Sequence, residues 1–184
     1  MQREKSSLEE KVMEGIYGKK EIKKEERNLF LGEYLERVIC YLTYEQVIEK
    51  GTYPEILEAL RHPEAKKLII DRDVKLSAAN DYIKLASKNG LLFKRIDSPD
   101  FKGDVALVVV SDHAVDIKKR EVLTRAESLQ ARGISDKIIE NVGAKLCHDC
   151  YRQLEEKAPA ELINYSKLSL VDRLLGTECI CKDY

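Results

Sequence analysis

The fold of this chain is decided by residues 103–112, "GDVALVVVSD", in which six consecutive apolar residues follow a glycine and an aspartate. An apolar run without polar alternation is typical of a strand that is buried on both faces of a sheet. The run is far too short to cross a bilayer, which takes about 20 apolar residues in a helix. The stretch therefore predicts a buried strand of a globular domain.

Three segments that precede this strand also have strand character. Residues 35–44, "LERVICYLTY", carry apolar side chains on both alternating sets. Residues 66–71, "KKLIID", and residues 91–97, "LLFKRID", are shorter apolar runs, and Pro99 and Gly103 form a turn signal before the next strand. Such punctuation is typical of neighbouring strands. The sequence therefore predicts four strands.

Helical patterns lie between the first three strands. In "TYPEILEALRHP", Pro54 stands at the first helical position and Pro63 closes the segment. In "LSAANDYIKLASKNG", one helical stripe carries Ala79, Tyr82, Ile83 and Ala86. The order strand–helix–strand–helix–strand–strand predicts an α/β (α+β) fold, with a mixed four-stranded sheet and helices packed on it. The positions predicted to be buried are Val38, Leu68, Ile70, Ile83, Leu107 and Val109.

The composition becomes helical after Asp116. One predicted helix carries Val122, Ala126 and Leu129, and a second, capped by Ser135, carries Ile138, Ile139, Val142 and Leu146. A further helix is predicted near the N-terminus, around Leu8, Val12 and Ile16. We therefore expect an α/β domain with an N-terminal helix over residues 1–116 and a helical C-terminal extension over residues 117–184.

Charge and hydropathy exclude several classes of partner. The 32 basic residues nearly balance the 33 acidic ones, so the chain has no global attraction to nucleic acid or to anionic lipid. The N-terminal "MQREKSSLEEKVMEG" has no apolar core, which excludes a secretory signal, and no segment could span a membrane. We therefore expect a cytoplasmic protein whose thiols stay reduced.

Several blocks, taken in order, resemble the YueI-like family of small proteins from Gram-positive bacteria. They are "GIYGKKEIKKEERNLFLGEYLERVICYLTYEQV", "YPEILEAL", "KLIIDRDV", "YIKLASKNGLLFKRID" and "GDVALVVVSDHAVD", which together cover about residues 15–117. The resemblance implies a compact α/β fold with a mixed sheet, similar to that of ribosomal and kink-turn RNA-binding proteins. It implies no particular activity.

The chain departs from the family in two places. Relatives tend to carry "NGD" after the second strand, where this chain has Asp71, Arg72 and Asp73. Relatives also usually stop near Asp116, so the resemblance does not account for the C-terminal extension.

Four cysteines in the extension are spaced as a candidate metal site. They form a Cys147-x-x-Cys150 pair and a Cys179-x-Cys181 pair. Zinc takes about four soft ligands around a tetrahedron, and two such pairs supply four sulfurs. We therefore expect Cys147, Cys150, Cys179 and Cys181 to hold one structural zinc ion.

Two other interpretations of these cysteines remain open. A Cys-x-x-Cys at a helix N-terminus is also typical of redox centres, although the sequence predicts a helix over 135–146 rather than a strand directly before Cys147. The thiols could also be unligated, and His148 could replace one sulfur as a ligand. The fifth cysteine, Cys40, lies in an apolar strand and is interpreted as a small core residue.

Polar residues at strand ends form a second candidate site. Ligands in open α/β sheets bind at the carboxyl ends of strands. The residues that fall at such ends are Thr43, Asp71, Asp73, Ser111, Asp112 and His113. The cluster "SDHA" at 111–114 is interpreted as a helix cap rather than as a catalytic triad, because adjacent strand residues point to opposite faces. We also predict that His113 is not a general base.

Two classes of function follow from these sites. The first is a non-enzymatic binding module for a protein or RNA partner, with its tail held by zinc. The second is a small-molecule or enzymatic site around Asp71, Asp73 and His113. The glycine-rich and Asn-Glu signature of kink-turn binders is absent, so the RNA alternative rests on fold analogy alone. Because no phosphate-binding loop or nucleophile–base pair is apparent, the sequence favours the binding module. It predicts no oligomeric state.

Overall fold

The computed structural model describes residues 24–182, in which four strands form the predicted mixed sheet. The strands are β1 (Val38–Thr43), β2 (Lys67–Asp71), β3 (Leu92–Ile96) and β4 (Val105–Val110), and they lie in the order β1-β4-β2-β3. β4 is antiparallel to both of its neighbours, whereas β2 and β3 are parallel. The predicted fold class is confirmed, and the apolar run that begins at Val105 lies inside the sheet.

Eight helices lie within residues 24–182. They are α1 (Lys24–Leu29), α2 (Tyr44–Ile48), α3 (Pro54–Leu60), α4 (Leu76–Lys88), α5 (Arg125–Ala131), α6 (Asp136–Glu140), α7 (His148–Lys157) and α8 (Leu170–Leu174). Short 3-10 turns occupy Leu35–Arg37, Pro159–Asn164 and Ile180–Lys182. None of the described helices is both long and apolar enough to cross a membrane.

Local sequence signals set the ends of these elements. The Thr43 hydroxyl accepts from the backbone of Gln46, and the Gln46 side chain accepts from the Thr43 N–H, so a capping box begins α2. Pro54 occupies the start of α3, as predicted. Gly90 follows α4 with φ +74°, a left-handed conformation that favours glycine.

The core lies on both faces of β4, all of whose residues are buried. Helices α3 and α4 cover one face and contribute Ile56, Leu60 and Tyr82. The other face packs against Leu31 and the partly buried Phe101. Of the six predicted core positions, five are fully buried and Ile83 is partly buried, because it lies at the margin of the face that α4 buries. The double-sided burial explains why β4 has no polar alternation.

Three sequence predictions about element ends are wrong. Residues 35–37 form a 3-10 turn instead of continuing the strand, and Tyr44 already belongs to α2. No helix begins at Ser111 or Asp112, because residues 111–124 are irregular. Val122 lies in that irregular segment and packs into the core of the sheet, where burial overrides its helical spacing.

The C-terminal extension is less helical than predicted. Ser135 precedes α6 without a side-chain capping bond, and α6 ends at Glu140. Leu146 therefore lies not in that helix but in β5 (Lys145–Leu146), which pairs in parallel with β6 (Ser166–Lys167). A separate apolar cluster, which includes Leu129, Ile138, Leu146 and Leu154, forms the core of this region. The helix predicted around residues 8–16 lies outside the described residues.

Candidate metal centre

The four cysteines of the extension come from two separate segments. Cys147 directly precedes α7, at its N-cap position, and Cys150 lies in its first turn. Cys179 and Cys181 lie at the last 3-10 turn, 32 and 34 residues after Cys147. A Cys-x-x-Cys at the start of a helix directs both sulfurs to one point near the helix N-terminus. The second cysteine pair therefore needs only to reach that N-terminus to complete a group of four sulfurs.

The structure brings all four sulfurs together. They lie within 4.8 Å of one another, and the Cys147 and Cys181 Sγ atoms are 3.7 Å apart. Around one zinc ion, metal–sulfur bonds of about 2.3 Å give sulfur–sulfur separations of about 3.8 Å. The Cys147–Cys181 pair already has that separation, while the full set is slightly wider than the roughly 4 Å expected from the sequence. The four cysteines are therefore placed to bind one metal ion.

The cluster lies at the rim of the second core. Cys179 is buried among the apolar residues of the extension, Cys147 and Cys150 are partly buried, and Cys181 is exposed. The Cys147 N–H donates to the Cys179 sulfur at 3.2 Å. Amide–sulfur bonds of this kind stabilise a thiolate and orient it as a ligand.

The surroundings of the sulfurs differ in their effect on the thiol pKa values. The backbone N–H of Cys150 is the main cause that lowers the pKa of Cys147, to about 7. Burial raises the pKa of Cys150 well above its ordinary value. Hydrogen bonding to Cys179 raises the pKa of Cys181. The surroundings therefore favour ionisation of the Cys147 thiol and oppose ionisation of the Cys150 and Cys181 thiols.

Two features hold the segments of the cluster in place. β5 leads directly into Cys147 and pairs with β6, and the Leu168 N–H donates to the Leu146 carbonyl at 2.8 Å. After β6, a Ser169–Asp172 capping box begins α8, and Lys145 pairs with the Asp172 carboxylate. The hydrogen bond from Lys145 lowers the pKa of Asp172 to about 2. The chain that leads to the second cysteine pair is thus tied to the strand that leads to the first.

The predicted strand-end residues do not share one pocket. Because β4 is antiparallel to β1 and β2, its carboxyl end lies beside the amino ends of those strands. Thr43 and Asp71 therefore lie at one end of the sheet, and Ser111 lies at the other. The prediction of a convergent site is wrong on this point, since it assumed that all the strands end on the same side.

At the first end, the polar groups serve local structure. Thr43 caps α2, and the Asp73 N–H donates to the buried Asp71 carboxylate at 2.8 Å. Tyr44 also hydrogen-bonds Asp71, and burial together with that bond raises the Tyr44 pKa. Asp71 is thus satisfied by its neighbours.

At the opposite end, His113 contacts two carboxylates. Its Nδ1 lies 2.7 Å from Asp112 and its Nε2 lies 3.1 Å from Glu64, while the Ser111 hydroxyl accepts from the His113 N–H at 3.3 Å. The His113 side chain is half exposed. Both ring nitrogens are engaged, and neither of the contacted acids is Asp71 or Asp73. The proximity of His113 to Asp71 or Asp73 that the enzymatic alternative requires is therefore not found.

A buried polar network, which we call the Arg125 network, was missed by the sequence reasoning. Its members are Arg125, Glu161, Asn164 and the backbone of residues 50–52. The Arg125 guanidinium donates to the carbonyls of Lys50 and Thr52, at 2.6 and 3.2 Å. Its Nε lies 3.5 Å from Glu161 Oε1, an ion-pair distance without a well-aligned hydrogen bond.

Asn164 completes the Arg125 network. Its amide nitrogen donates to the Thr52 carbonyl and its oxygen accepts from the Thr52 N–H, each at 2.8 Å. The network therefore joins the extension to the loop before α3. Only the Thr124–Glu127 capping box that positions Arg125 could have been identified from the sequence, as a T-x-x-E motif.

Fold and site together define a mixed-sheet α+β domain followed by an extension with four clustered cysteines. The chain belongs to the family described as "Protein of unknown function (DUF1694)", which matches residues 5–121. It is 31% identical over 123 residues to "Uncharacterized protein YueI" of Bacillus subtilis (strain 168), a match that covers 67% of this chain and 91% of that protein. The crystal structure of YueI from Bacillus subtilis matches with a TM-score of 0.53 and 29% identity, and covers 65% of this chain and 93% of that chain.

These matches confirm the YueI-like resemblance seen in the sequence. The residues that carry it, 15–117, fall within the matched range of 5–121. The four cysteines and the whole second core lie after that range. The family therefore accounts for the sheet domain, and the candidate metal centre must be interpreted from its own geometry.

Proposed function

We propose that this chain is a cytoplasmic, non-enzymatic binding module in which a structural zinc ion holds the C-terminal extension as a docking surface for a protein partner. The single observation that carries the proposal is the convergence of four sulfurs within 4.8 Å. Thiolates are ligands that zinc prefers, and free thiols suit a reducing compartment. Four sulfurs would fill the tetrahedron, which leaves no position for the water that catalytic zinc activates.

The surface beside the cluster supports a protein partner. Helix α8 lies between the two cysteine pairs in sequence and exposes Leu170, Val171 and Leu174, and the exposed Leu175 directly follows it. Leu174 is 87% exposed, although the capping box and the Lys145–Asp172 pair fix the helix. A contiguous exposed apolar patch on an ordered element is typical of a protein–protein contact.

The same surface does not favour the RNA alternative. Recognition of single-stranded RNA relies on aromatic residues that stack on bases and on basic residues that contact phosphates. α8 exposes the aliphatic Leu170, Val171 and Leu174 beside a single basic residue, Arg173, and no aromatic residue, and the acidic Glu178 follows the helix. Aliphatic contacts of this kind suit an apolar protein groove.

Elemental analysis tests the metal half of the proposal. We expect the purified protein to contain about one zinc per chain, and the Cys147→Ser/Cys181→Ser variant to contain much less, because two thiolates are removed from the tetrahedron. A Cys40→Ser variant, which leaves the cluster intact, should keep its zinc. Iron, or no metal in protein kept reduced, would contradict a zinc centre.

Affinity capture with matched variants tests the partner half. The wild type and a Leu170→Ser/Leu174→Ser variant would be used as bait in extracts of the source cells, with zinc content measured on both. We expect a specific protein to be retained by the wild type and lost from the variant, whose zinc is unchanged. Retention of nucleic acid by both proteins instead would favour the RNA alternative.

A further inference from the structure

The four sulfurs of the candidate metal centre differ in their access to solvent. Cys179 is 3% exposed, and its sulfur accepts a hydrogen bond from the Cys147 N–H. Cys147 and Cys150 are partly buried, whereas Cys181 is exposed. Reactive cysteines are those that solvent reaches, while buried cysteines are inert. A small reagent in solution therefore reaches Cys181 more readily than the other three.

Cys181 also has a second sulfur close to its own. Its Sγ atom lies 3.7 Å from the Sγ atom of Cys147. The two sulfurs of a disulfide are about 2.05 Å apart, so this pair would need to approach by less than about 2 Å. Residues 175–178, which lead into the second cysteine pair, are exposed, and a Cβ at Gly176 would meet no atom within 4 Å. This segment has room for such a movement without disturbing the second core.

Metal binding would place both sulfurs in their reactive form. A cysteine that binds zinc does so as a thiolate, and the thiolate is the form that attacks peroxides. Cys181 would thus be both a ligand and the most accessible nucleophile of the centre. In the reducing compartment expected for this chain, disulfides are usually transient and belong to catalytic or redox-sensing sites. Oxidation of these sulfurs would therefore act as a signal rather than as a permanent cross-link.

We propose that Cys181 is a peroxide-reactive site that is resolved by Cys147, so that peroxide releases the metal ion. The Cys181 thiolate attacks one oxygen of hydrogen peroxide: an S–O bond forms, the O–O bond breaks and hydroxide leaves. The Cys147 thiolate then attacks the Cys181 sulfur: an S–S bond forms, the S–O bond breaks and a second hydroxide leaves. The two sulfurs together lose two electrons to the peroxide, and two protons from water convert the hydroxides to water.

The inference rests on the zinc centre proposed above and names its regulation. After oxidation the chain keeps only the thiols of Cys150 and Cys179, which cannot fill a tetrahedron, so it releases the ion. The new bond joins the same two segments that the ion joined. The loop that carries α8 therefore stays attached to the start of α7. A thiol reductant together with zinc would reverse both changes.

Peroxide treatment of the zinc-loaded protein tests the proposal. Released zinc would be measured with a chromogenic chelator, and disulfides would be mapped by mass spectrometry of unreduced peptides. We expect release of about one zinc per chain, together with one Cys147–Cys181 disulfide within a single chain. Cys40→Ser should give the same result, because Cys40 is buried in the core of the sheet, away from the centre.

The variant Cys181→His separates metal binding from reactivity. Histidine can occupy the fourth position at zinc, so the variant should still bind about one zinc per chain. It lacks the exposed sulfur, so we expect peroxide to release its zinc at least tenfold more slowly than from the wild type. If the variant does not fold or bind zinc, the disulfide map of the wild type still decides.

Three results would overturn the inference and leave the zinc centre in place. They are retention of zinc by the wild type in peroxide, release from Cys181→His as fast as from the wild type, and a disulfide that joins any other pair of cysteines or two chains. Purified protein without zinc would overturn the centre itself. Reduced, metal-free protein should then still form the Cys147–Cys181 bond in peroxide, and its absence would contradict the pairing as well.

Discussion

Val109 lies in β4 and is fully buried, whereas Val171 lies on α8 and is 62% exposed. The two residues are chemically identical, and only the tertiary structure distinguishes them. A charge that is buried without a partner costs far more free energy than a charge that is exposed to water. Replacement of valine by aspartate should therefore destabilise the protein at position 109 and have little effect at position 171.

We predict that Val109→Asp unfolds the protein. The substitution places a carboxylate between two apolar layers, at a cost on the order of 5 kcal/mol, comparable with the whole stability of many domains. Val171→Asp, the matched control, should remain folded with a Tm close to that of the wild type. Soluble yield and urea unfolding measure both, and a cooperatively melting Val109→Asp protein would disprove the assignment of β4 to the core.

Gly51 and Gly90 form a second matched pair. Both have positive φ, +87° and +74°, a conformation that costs other residues about 1–2 kcal/mol. A Cβ at Gly51 would lie 2.6 Å from Asn164 Oδ1 and 2.7 Å from Val142, whereas a Cβ at Gly90 would meet no atom within 4 Å. Only the substitution at Gly51 would therefore also displace the extension.

We predict that Gly51→Ala destabilises the protein more than Gly90→Ala does. Gly90→Ala should cost about 1 kcal/mol, from backbone strain alone. Gly51→Ala adds a steric clash with the Arg125 network, so its cost should exceed that by about 1 kcal/mol or more. Denaturant unfolding gives both values, and equal costs would show that the loop before α3 relaxes without disturbing Asn164.

At the scale of elements, the extension depends on cross-links more than on long helices. Its helices α5, α6 and α8 have seven, five and five residues. Isolated helices this short are unstable in water, so their order must come from packing and from fixed ends. The small β5–β6 pair and the cysteine cluster supply such ends, which is why metal binding should matter for this region.

We predict that chelation loosens the extension and leaves the sheet intact. Structural zinc contributes on the order of 10 kcal/mol in small modules, whereas β1–β4 have a core of their own. After treatment with a chelator under reducing conditions, backbone amides near residues 145–147 and 166–181 should exchange faster with deuterium. Amides of β2 and β4 should keep their protection, and faster exchange throughout the sheet would contradict two separate cores.

At the scale of the whole molecule, the Arg125 network joins the two cores. Arg125 is 3% exposed and also lies over the Tyr53 ring, 4.8 Å from its centroid. Burial raises the pKa of the Glu161 carboxyl group, and the positive charge of Arg125 partly offsets that rise. Removal of one member of such a buried pair leaves the other charge uncompensated.

We predict that Arg125→Met destabilises the protein by about 3–5 kcal/mol, because the buried Glu161 loses its charged partner and the Lys50 carbonyl loses its donor. Arg152→Met should cost less than about 1 kcal/mol, since Arg152 is 58% exposed in its pairs with Asp149 and Glu156. Adding Glu161→Gln to Arg125→Met should recover part of the loss, which a double-mutant cycle measures. Strict additivity would mean that the two side chains do not interact.

The sequence by itself determined the sheet and the four candidate metal ligands. The apolar run at 105–110, the proline at the start of α3 and the stripe on α4 are local patterns with a fixed physical meaning, and each predicted its element. The two cysteine pairs were likewise visible, because metal ligands come in short spacings that the chain geometry constrains.

Only the tertiary structure decided what depends on strand direction and on long-range packing. The antiparallel placement of β4 separated Asp71 from His113, which no local pattern could reveal. Val122 and Leu146 kept their apolar character but left the helices that their spacing predicted, because burial against a distant surface outweighs helix propensity. The Arg125 network arises for the same reason: Arg125, Glu161 and residues 50–52 meet only after the extension packs against the sheet domain.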